Sequence, residues 1–309
     1  MAFTSGTATD YHDLLDKLRL YLVAQGWTEL NWDAPAGLTD TATLQVRGPG
    51  AGADKQVFIN IQTTYRGSDN SYAWQLRGAI GYEPGADWGT QPGESPQVFY
   101  NLWPNSIDYW FYVNDRRFIV IAKIGIVYIP MYAGFFLPFA TPAEYPFPLY
   151  VAGNMSELQV YNYGQAHNRF FVDPGINSAY YRRRLDGTWG ALRNHGTGIE
   201  LDNVFSEESI HMWPHRCGRA DGRDDLGYWE NIWLQNMRPN LSGELPMFTP
   251  HVIDTQRRLM AGALDGTYIT GGFNRVPEQT VTLGSRTFRL FPNVFRSRPR
   301  DFMAIEEIA

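Results

Sequence analysis

The chain has 309 residues, of which 44% are hydrophobic and 19% charged, and its net charge at pH 7 is −6. This composition is typical of a globular protein with a sizeable core and excludes a disordered chain. A weakly acidic protein gains nothing from general attraction to phosphate, so we expect no nucleic-acid partner. The single cysteine, Cys217, excludes an internal disulfide framework and a metal site built only of thiolates.

The basic residues are nearly all arginine, because only Lys17, Lys55 and Lys123 among the 26 are lysine. Arginine suits desolvated ion pairs between partners, whereas lysine is depleted at interface cores. A GC-rich genome would produce the same bias, so both explanations stay open. The N-terminal sequence MAFTSGTATD lacks the basic-then-apolar order of a signal peptide, and we expect none.

The first predicted element is a helix over residues 10–25, DYHDLLDKLRLYLVAQ. Asp10 is a good N-cap, leucines recur at helical spacing, and Gly26 follows the last turn as a C-cap residue. Residues 27–32 then predict the start of a strand. Alternating patterns predict further strands at residues 41–48, 55–66, 71–82 and 97–104, with a loop over 83–97.

A long apolar run follows, in which residues 118–139 span 22 positions with Lys123 as the one charge. Its length would admit a transmembrane helix. However, Pro130, Gly134 and Pro138 interrupt it, and β-branched and aromatic side chains dominate its composition. We therefore expect strands here and no membrane span.

We interpret residues 109–113 and 117–128 as a β-hairpin buried on both faces, with Asn114-Asp115 at a turn that requires a left-handed conformation. Residues 130–148 are then predicted to form an ordered, aromatic loop. Its rings cannot all be hidden in a loop on the surface of a monomer, so either the domain folds over them or another subunit does. These rings are candidate interface residues: Phe135, Phe136, Phe139, Tyr145 and Phe147.

The second half is less regular. LDGTW at 185–189 and LDGTY at 264–268 predict Asp-Gly turns, and residues 280–292 predict a hairpin on Gly284-Ser285. Together the patterns predict a mainly β, α+β fold, with an antiparallel strand-rich core, one N-terminal helix and a long irregular insertion. The expected division is 1–153 for the helix and β-meander, 154–263 for the insertion or subdomain, and 264–309 for a C-terminal hairpin that returns to the core.

Two clusters in the insertion match metal sites only in part. HMWPHRC brings together His211, His215 and Cys217, but zinc normally takes four ligands and Pro214 disrupts any helix that would align the histidines. RADGRDD lacks the alternate spacing of a calcium loop. Signatures of a serine nucleophile, a dinucleotide fold or a phosphate loop are also missing from the sequence. We therefore expect no enzyme, no metal and no cofactor.

Two other clusters could bind a partner. GYWENIW supplies Tyr228, Trp229, Glu230 and Trp233, and aromatic residues beside a carboxylate suit sugars, although packing in the core is the more common role of such residues. Three adjacent arginines in YRRRLDG could meet an acidic patch on a partner, or could lie on a solvated strand edge. These are the remaining candidate interface residues: Arg182, Arg183 and Arg184.

Three long strings resemble a family of tailed-bacteriophage virion proteins. They are YHDLLDKLRLYLVAQGW, NDRRFIVIAKIGIVYIPMYAGFFLPFATPAEYPFPLYVAG and LDGTYITGGFNRVPEQTVTLGSRTFRLFPNVFRSRPRDFMAI, and they cover about a third of the chain in the family's order. None of them contains a catalytic signature. The resemblance implies a non-enzymatic component of the tail, baseplate or neck.

The sequence therefore favours a structural component of a tailed phage particle, assembled in the bacterial host cytoplasm and located in the virion. Its expected partners are copies of itself and neighbouring virion proteins. The alternative is a host-surface glycan-binding or depolymerising tail spike protein. Tail spikes usually show repeated β-helical rungs, and the sequence has no such period.

Overall fold

A computed structural model describes residues 2–52, 55–154, 158, 180–191, 210–213, 246–254, 259–272, 274–292 and 301–307. Within these residues the chain forms one helix, α1 (Tyr11–Ala24), and 21 strands whose pairings are all antiparallel. The predicted mainly β fold with an N-terminal helix is thus confirmed.

The strands, in chain order, are β1 (Ala2–Ala8), β2 (Thr28–Asp33), β3 (Thr43–Gly48), β4 (Val57–Arg66), β5 (Ser71–Ala79), β6 (Val98–Leu102), β7 (Ile107–Val113), β8 (Arg117–Ile124), β9 (Val127–Phe135), β10 (Leu137–Pro138), β11 (Leu149–Ala152), β12 (Tyr180–Arg183), β13 (Trp189–Ala191), β14 (Ile210–Trp213), β15 (Met247–Phe248), β16 (His251–Asp254), β17 (Leu259–Ala263), β18 (Thr267–Gly271), β19 (Thr280–Leu283), β20 (Arg286–Pro292) and β21 (Asp301–Glu307).

The strands form four sheets. The central sheet has the order β1-β7-β8-β9-β11-β12-β13, and a meander sheet has the order β2-β3-β4-β5-β6. The four-stranded sheet runs β10-β17-β16-β14, and the C-terminal sheet runs β15-β18-β21-β20-β19. Strands β12 and β13, from the predicted insertion, extend the central sheet.

The helix begins and ends as its sequence predicts. One carboxylate oxygen of Asp10 accepts hydrogen bonds from the backbone N–H groups of His12 (2.8 Å) and Asp13 (2.9 Å), which satisfies two free donors of the first turn. Gly26 follows the last turn at φ +86°, where glycine has no steric penalty. The leucines at helical spacing are buried: Leu14, Leu15, Leu18 and Leu22.

The central sheet is buried on both faces, which explains why β7, β8 and β9 read as continuous apolar runs. On one face, side chains such as Phe111, Val120 and Ile129 share a core with α1 and the meander sheet. On the other face, Trp110 and its neighbours share a second core with the four-stranded and C-terminal sheets. The described chain therefore has three layers, with the central sheet between the other two.

The predicted hairpin at 109–128 is confirmed for its first two strands, but β8 ends earlier than expected. The chain turns at Gly125, which has φ +62°, and continues as the third strand β9. The prediction of a loop from Pro130 onward is therefore wrong for residues 130–135. Neither Asn114 nor Asp115 adopts the expected positive φ. Instead, the Asn114 side-chain oxygen accepts from the N–H groups of Arg116 (2.9 Å) and Arg117 (3.0 Å).

Pro130 lies inside β9 because its missing N–H is not needed there. Ile124 pairs with Val127 across the turn, so alternate residues of β9 bond to β8 and Pro130 faces away from it. On that outer side β11 pairs only with residues 132–135. Proline is tolerated where a strand has a free edge, so a residue that suggested a break is part of a strand.

Other turns agree with the sequence. Residues 280–292 form the β19–β20 hairpin, and Gly284 has φ +61°. The two Asp-Gly turns place Gly187 at φ +86° and Gly266 at φ +66°. Across the described ranges, the structure contains no helix with the length and apolar character needed to cross a bilayer.

Candidate interaction surfaces

Three of the five aromatic candidates at 135–147 are buried by the chain's own fold. Phe135 ends β9 and packs into the core beside α1, whereas Phe136 belongs to the second core. Tyr145 meets Phe136 edge to face, with ring centroids 5.5 Å apart. The domain itself therefore covers Phe135, Phe136 and Tyr145, and they are not available to a partner as candidate interface residues.

Phe139 is the aromatic residue of this segment that stays in solvent, with 59% of its surface exposed. Its backbone N–H donates to the Ala261 carbonyl at 3.1 Å, just past the pairing of β10 with β17. Its ring centroid lies 5.7 Å from that of His251. The chain therefore holds one bulky apolar group at the surface by backbone pairing, which keeps Phe139 as a candidate.

Phe147 and Arg183, which the sequence left as separate candidates, lie together. The Arg183 guanidinium is 5.6 Å from the centre of the half-buried Phe147 ring, a cation–π contact. The Tyr145 hydroxyl donates to the Arg183 carbonyl, which ties the aromatic segment to β12. Burial lowers the pKa of Arg183 from its usual value. Both side chains thus have partners inside the chain and stabilise the end of the central sheet.

Arg182 and Arg184 have different settings. Arg182 lies in β12 opposite Tyr150 and Gly190, and its side chain lies outside the described part. Arg184 begins the Asp-Gly turn, and its N–H donates to the Thr188 carbonyl at 2.7 Å while its side chain is half-buried. Of the two described arginine side chains, Arg183 packs on Phe147 and Arg184 is half-buried, so neither is a freely exposed group for an acidic partner.

A polar cleft of about 400 Å³ opens beside the β7–β8 turn, where Gln25, Asp115, Arg116 and Asp265 line it. Beneath it Arg117 is fully buried, with its Nε 3.5 Å from a carboxylate oxygen of Asp265. The Asn114 amide donates to the same carboxylate at 2.6 Å. Arg117 and Asp265 are thus already engaged with each other and with Asn114, which is typical of a structural cluster.

A second polar network joins the central and C-terminal sheets. One carboxylate oxygen of Glu278 accepts from the Lys123 ammonium at 2.7 Å and from the Tyr128 hydroxyl at 2.5 Å. Burial, with the bond to and the charge of Glu278, raises the pKa of Tyr128. Partial burial acts to raise the pKa of Glu278, but the bonds from Lys123 and Tyr128 and the nearby cationic charges outweigh it and lower that pKa. Neither side chain changes its protonation state near neutral pH, so the network joins the two sheets and does not serve as a general acid or base. We call Lys123, Tyr128 and Glu278 the latch.

Glu278 is held in a left-handed backbone conformation, with φ +63°. Such a conformation costs free energy for a residue other than glycine and persists only where the surroundings impose it. Its N–H donates to the Leu290 carbonyl at 2.8 Å, and its own carbonyl accepts from Arg289 at 3.4 Å. The neighbouring strand therefore fixes the carboxylate where Lys123 and Tyr128 can reach it.

Two apolar residues close in sequence to members of this latch are exposed, and the sequence analysis missed both. Ile126, at the β8–β9 turn, is 74% exposed, and Val276 is 61% exposed. Each lies two residues before a latch member, Tyr128 and Glu278, whose side chains are bonded to each other. We call Ile126, Val276 and the latch residues the turn surface. The sequence signal for Ile126 is its position directly after Gly125, in what the structure shows to be the β8–β9 turn.

The latch makes a pH-dependent contribution to stability, which the Glu278→Gln variant is expected to reveal. Because the pKa of Glu278 is lowered in the folded state, its contribution is present above the ordinary carboxyl pKa and is lost as pH falls through the lowered value. The free energies of unfolding of the two proteins, measured in urea between pH 7 and pH 3, should therefore differ most at neutral pH and converge in acid. A constant difference across that range would contradict the latch.

Several sequence candidates fall outside the described residues. They include His215 and Cys217, the acidic loop RADGRDD, and the aromatic and acidic cluster of Tyr228, Trp229, Glu230 and Trp233. His211 lies in β14, and its side chain is likewise outside the described part. Among the side chains that the structure does describe, no three histidine, cysteine or acidic groups come together as a metal site.

No protein-family model and no curated protein sequence matches the chain.

Proposed function

We propose that this chain is a structural component of a tailed phage particle, in the tail, baseplate or neck. It acts through contacts with copies of itself and with neighbouring virion proteins. The turn surface carries this proposal, because it exposes Ile126 and Val276 beside a fixed group of charged and hydroxyl side chains. Exposed apolar side chains close to charged ones are common at protein–protein interfaces.

The architecture supports the same function. The buried ion pair of Arg117 and Asp265, the latch at Glu278 and the two aromatic cores all stabilise the layers against one another. A frame of this kind holds surface groups such as Phe139 in fixed positions, which lowers the entropic cost of association. The resemblance of the three long strings to tailed-phage virion proteins points to the particle as the place of that association.

The proposal is tested by quantitative mass spectrometry of purified particles of the phage that encodes the chain. We expect the chain at a fixed, integral ratio to known particle components, since rings and tubes in such particles are built from symmetric copies. Absence from washed particles, or a trace amount that varies between preparations, would overturn the proposed function.

The turn surface is tested in the same particles with a double variant, Ile126→Ser with Val276→Ser. Both side chains are exposed, so the fold should survive while the number of copies in the particle falls. Leu20→Ser, at an exposed position of α1, is the matched control and should enter particles normally. If the double variant assembles as well as the control, the turn surface is not the contact.

A further inference from the structure

The outer edge of β1 differs from the other sheet edges in the described part of the chain. An exposed strand edge invites another strand, and proteins normally protect it with charge, proline, a bulge or short length. The other edge strands have such protection or are shorter: β10 and β15 have two residues each, β13 has three, and β14 and β19 have four. The edge strand β2 carries Glu29 and Asp33 and a register shift. Along β6, Asn154 bonds to the backbone of Phe99 and Asn101.

Strand β1 has none of these protections. It runs for seven residues, AFTSGTA, with no charge, no proline and an unbroken register against β7 from Ala2↔Val113 to Ala8↔Ile107. Ser5, Gly6 and Thr7 are exposed, and no other described strand pairs with the outer edge of β1. The edge is therefore a long, neutral template for strand addition.

The register shows which backbone groups face outward. Asn114 N–H bonds to the Arg117 carbonyl at the β7–β8 turn, so even-numbered residues of β7 bond to β8 and odd-numbered ones bond to β1. Odd-numbered residues of β7 pair with Ala2, Thr4, Gly6 and Ala8. The outward N–H and C=O groups of β1 therefore belong to Phe3, Ser5 and Thr7.

We propose that two copies of this chain associate through their β1 strands, which pair antiparallel about a two-fold axis through Ser5. In that register Ser5 faces Ser5 of the second copy, and Phe3 faces Thr7 in both directions. Every outward backbone group of one edge then finds its partner on the other, and no like charges meet. The pairing joins two central sheets into one continuous sheet, a mode of association that uses main-chain hydrogen bonds.

The same edge could in principle accept a strand of a different protein, but the positions favour a second copy. A second copy brings an edge of the same seven-residue length that also carries no charge, and it sets Phe3 and Thr7 of one copy opposite Thr7 and Phe3 of the other. This proposal rests on the proposed building-block function, because it names the partner for one of its contacts. It uses a different part of the surface from Ile126 and Val276.

The test uses the purified full chain in sedimentation equilibrium and light scattering over a series of concentrations. We expect a reversible dimer for the natural chain. Ser5→Lys and Ser5→Asp each place like charges directly opposite each other across the axis, and each should weaken the dimer by up to roughly fivefold. An equal mixture of the two variants should recover dimer, because lysine then faces aspartate.

Two further variants make the test specific. Ser5→Pro removes an outward N–H while leaving the inward bonds to β7, and it should abolish the dimer. Thr282→Lys puts the same charge on the exposed edge strand β19 and should leave the dimer intact. Circular dichroism of each variant checks that the fold is kept. A chain that stays monomeric up to its solubility limit overturns the proposal, and so does a dimer that the charge pair neither weakens nor restores.

The outcome is independent of the particle analysis. A dimer that behaves as expected in a chain absent from particles would support this pairing and overturn the proposed function. A chain that is present in particles at a fixed ratio but monomeric in solution, or one whose Ser5→Pro variant assembles normally, would leave the proposed function standing and remove β1 as the contact.

Discussion

Replacing Gly134 with alanine is expected to destabilise the protein by about 3 kcal/mol or more, the sum of backbone strain and overpacking. Gly134 lies in β9 at φ +135°, a conformation that residues with a side chain rarely adopt. An added Cβ would lie 2.5 Å from the Arg117 Cα, which is a backbone atom and cannot rotate away. The close approach exists because the next residue, Phe135, donates its N–H to the Arg116 carbonyl at 2.9 Å.

Gly125→Ala is the matched control for this effect. Gly125 also has a positive φ, +62°, but an added Cβ would meet no atom within 4 Å. Its cost is therefore only that of the left-handed conformation, about 1–2 kcal/mol. Urea unfolding of both variants measures the difference. Equal losses would mean that contact with Arg117 does not determine the need for glycine at position 134.

Replacing Asp265 with alanine is expected to cost about 3 kcal/mol, the lower end for removal of one partner from a buried ion pair. Arg117 is fully buried, and the alanine variant removes the carboxylate 3.5 Å from its guanidinium while the bond to the Tyr112 carbonyl stays. The same substitution removes the acceptor for Asn114. A buried cation without this counter-charge destabilises the folded state far more than loss of a surface pair.

Two comparisons separate charge from packing at this site. Asp265→Asn keeps a group that can accept from Asn114 and should retain part of the stability. Lys17→Ala breaks an ion pair with Asp13 that is partly exposed, and it should change the free energy of unfolding by less than about 1 kcal/mol. If Asp265→Ala in urea unfolding is no more costly than Lys17→Ala, the buried pair contributes nothing specific.

Both predictions concern the turn at residues 114–117, which several parts of the fold contact. The Trp27 indole donates to the Asn114 carbonyl at 2.9 Å, and Gly50 N–H donates to the Asp115 carbonyl at 2.7 Å. Asp265 reaches the turn from the loop before β18. Damage here should therefore loosen the three layers together.

The sequence was most informative where one element decides its own structure. The N-cap at Asp10 and the leucine spacing of α1 are local, and both could be predicted. The alternation of apolar and polar residues in β3, β4 and β5 predicted strands with one face in a core. The Asp-Gly pairs likewise predicted the turns at Gly187 and Gly266. These features depend on backbone conformation and side-chain period, which a short stretch of chain expresses by itself.

The N-terminal strand could not be predicted in this way. The residues of β1 are mostly small and show no alternation of apolar and polar positions, and only the pairing with β7 makes them a strand. Its role as an edge with outward groups at Phe3, Ser5 and Thr7 is likewise a property of the register between two distant segments. No local pattern contains that information.

The apolar segment from Tyr109 separates what composition could predict from what only the tertiary structure determines. Composition alone predicted the strands before Pro130 and the need of the aromatic rings for cover, but it placed residues 130–135 in a loop, whereas they belong to β9. Only the fold decided that the chain itself covers Phe135, Phe136 and Tyr145 while leaving Phe139 and Ile126 in solvent. Burial depends on which sheets pack on each face, and those sheets come from residues far away in the chain. The hydrophobicity of a segment shows that its side chains favour burial, and long-range packing determines which of them are buried.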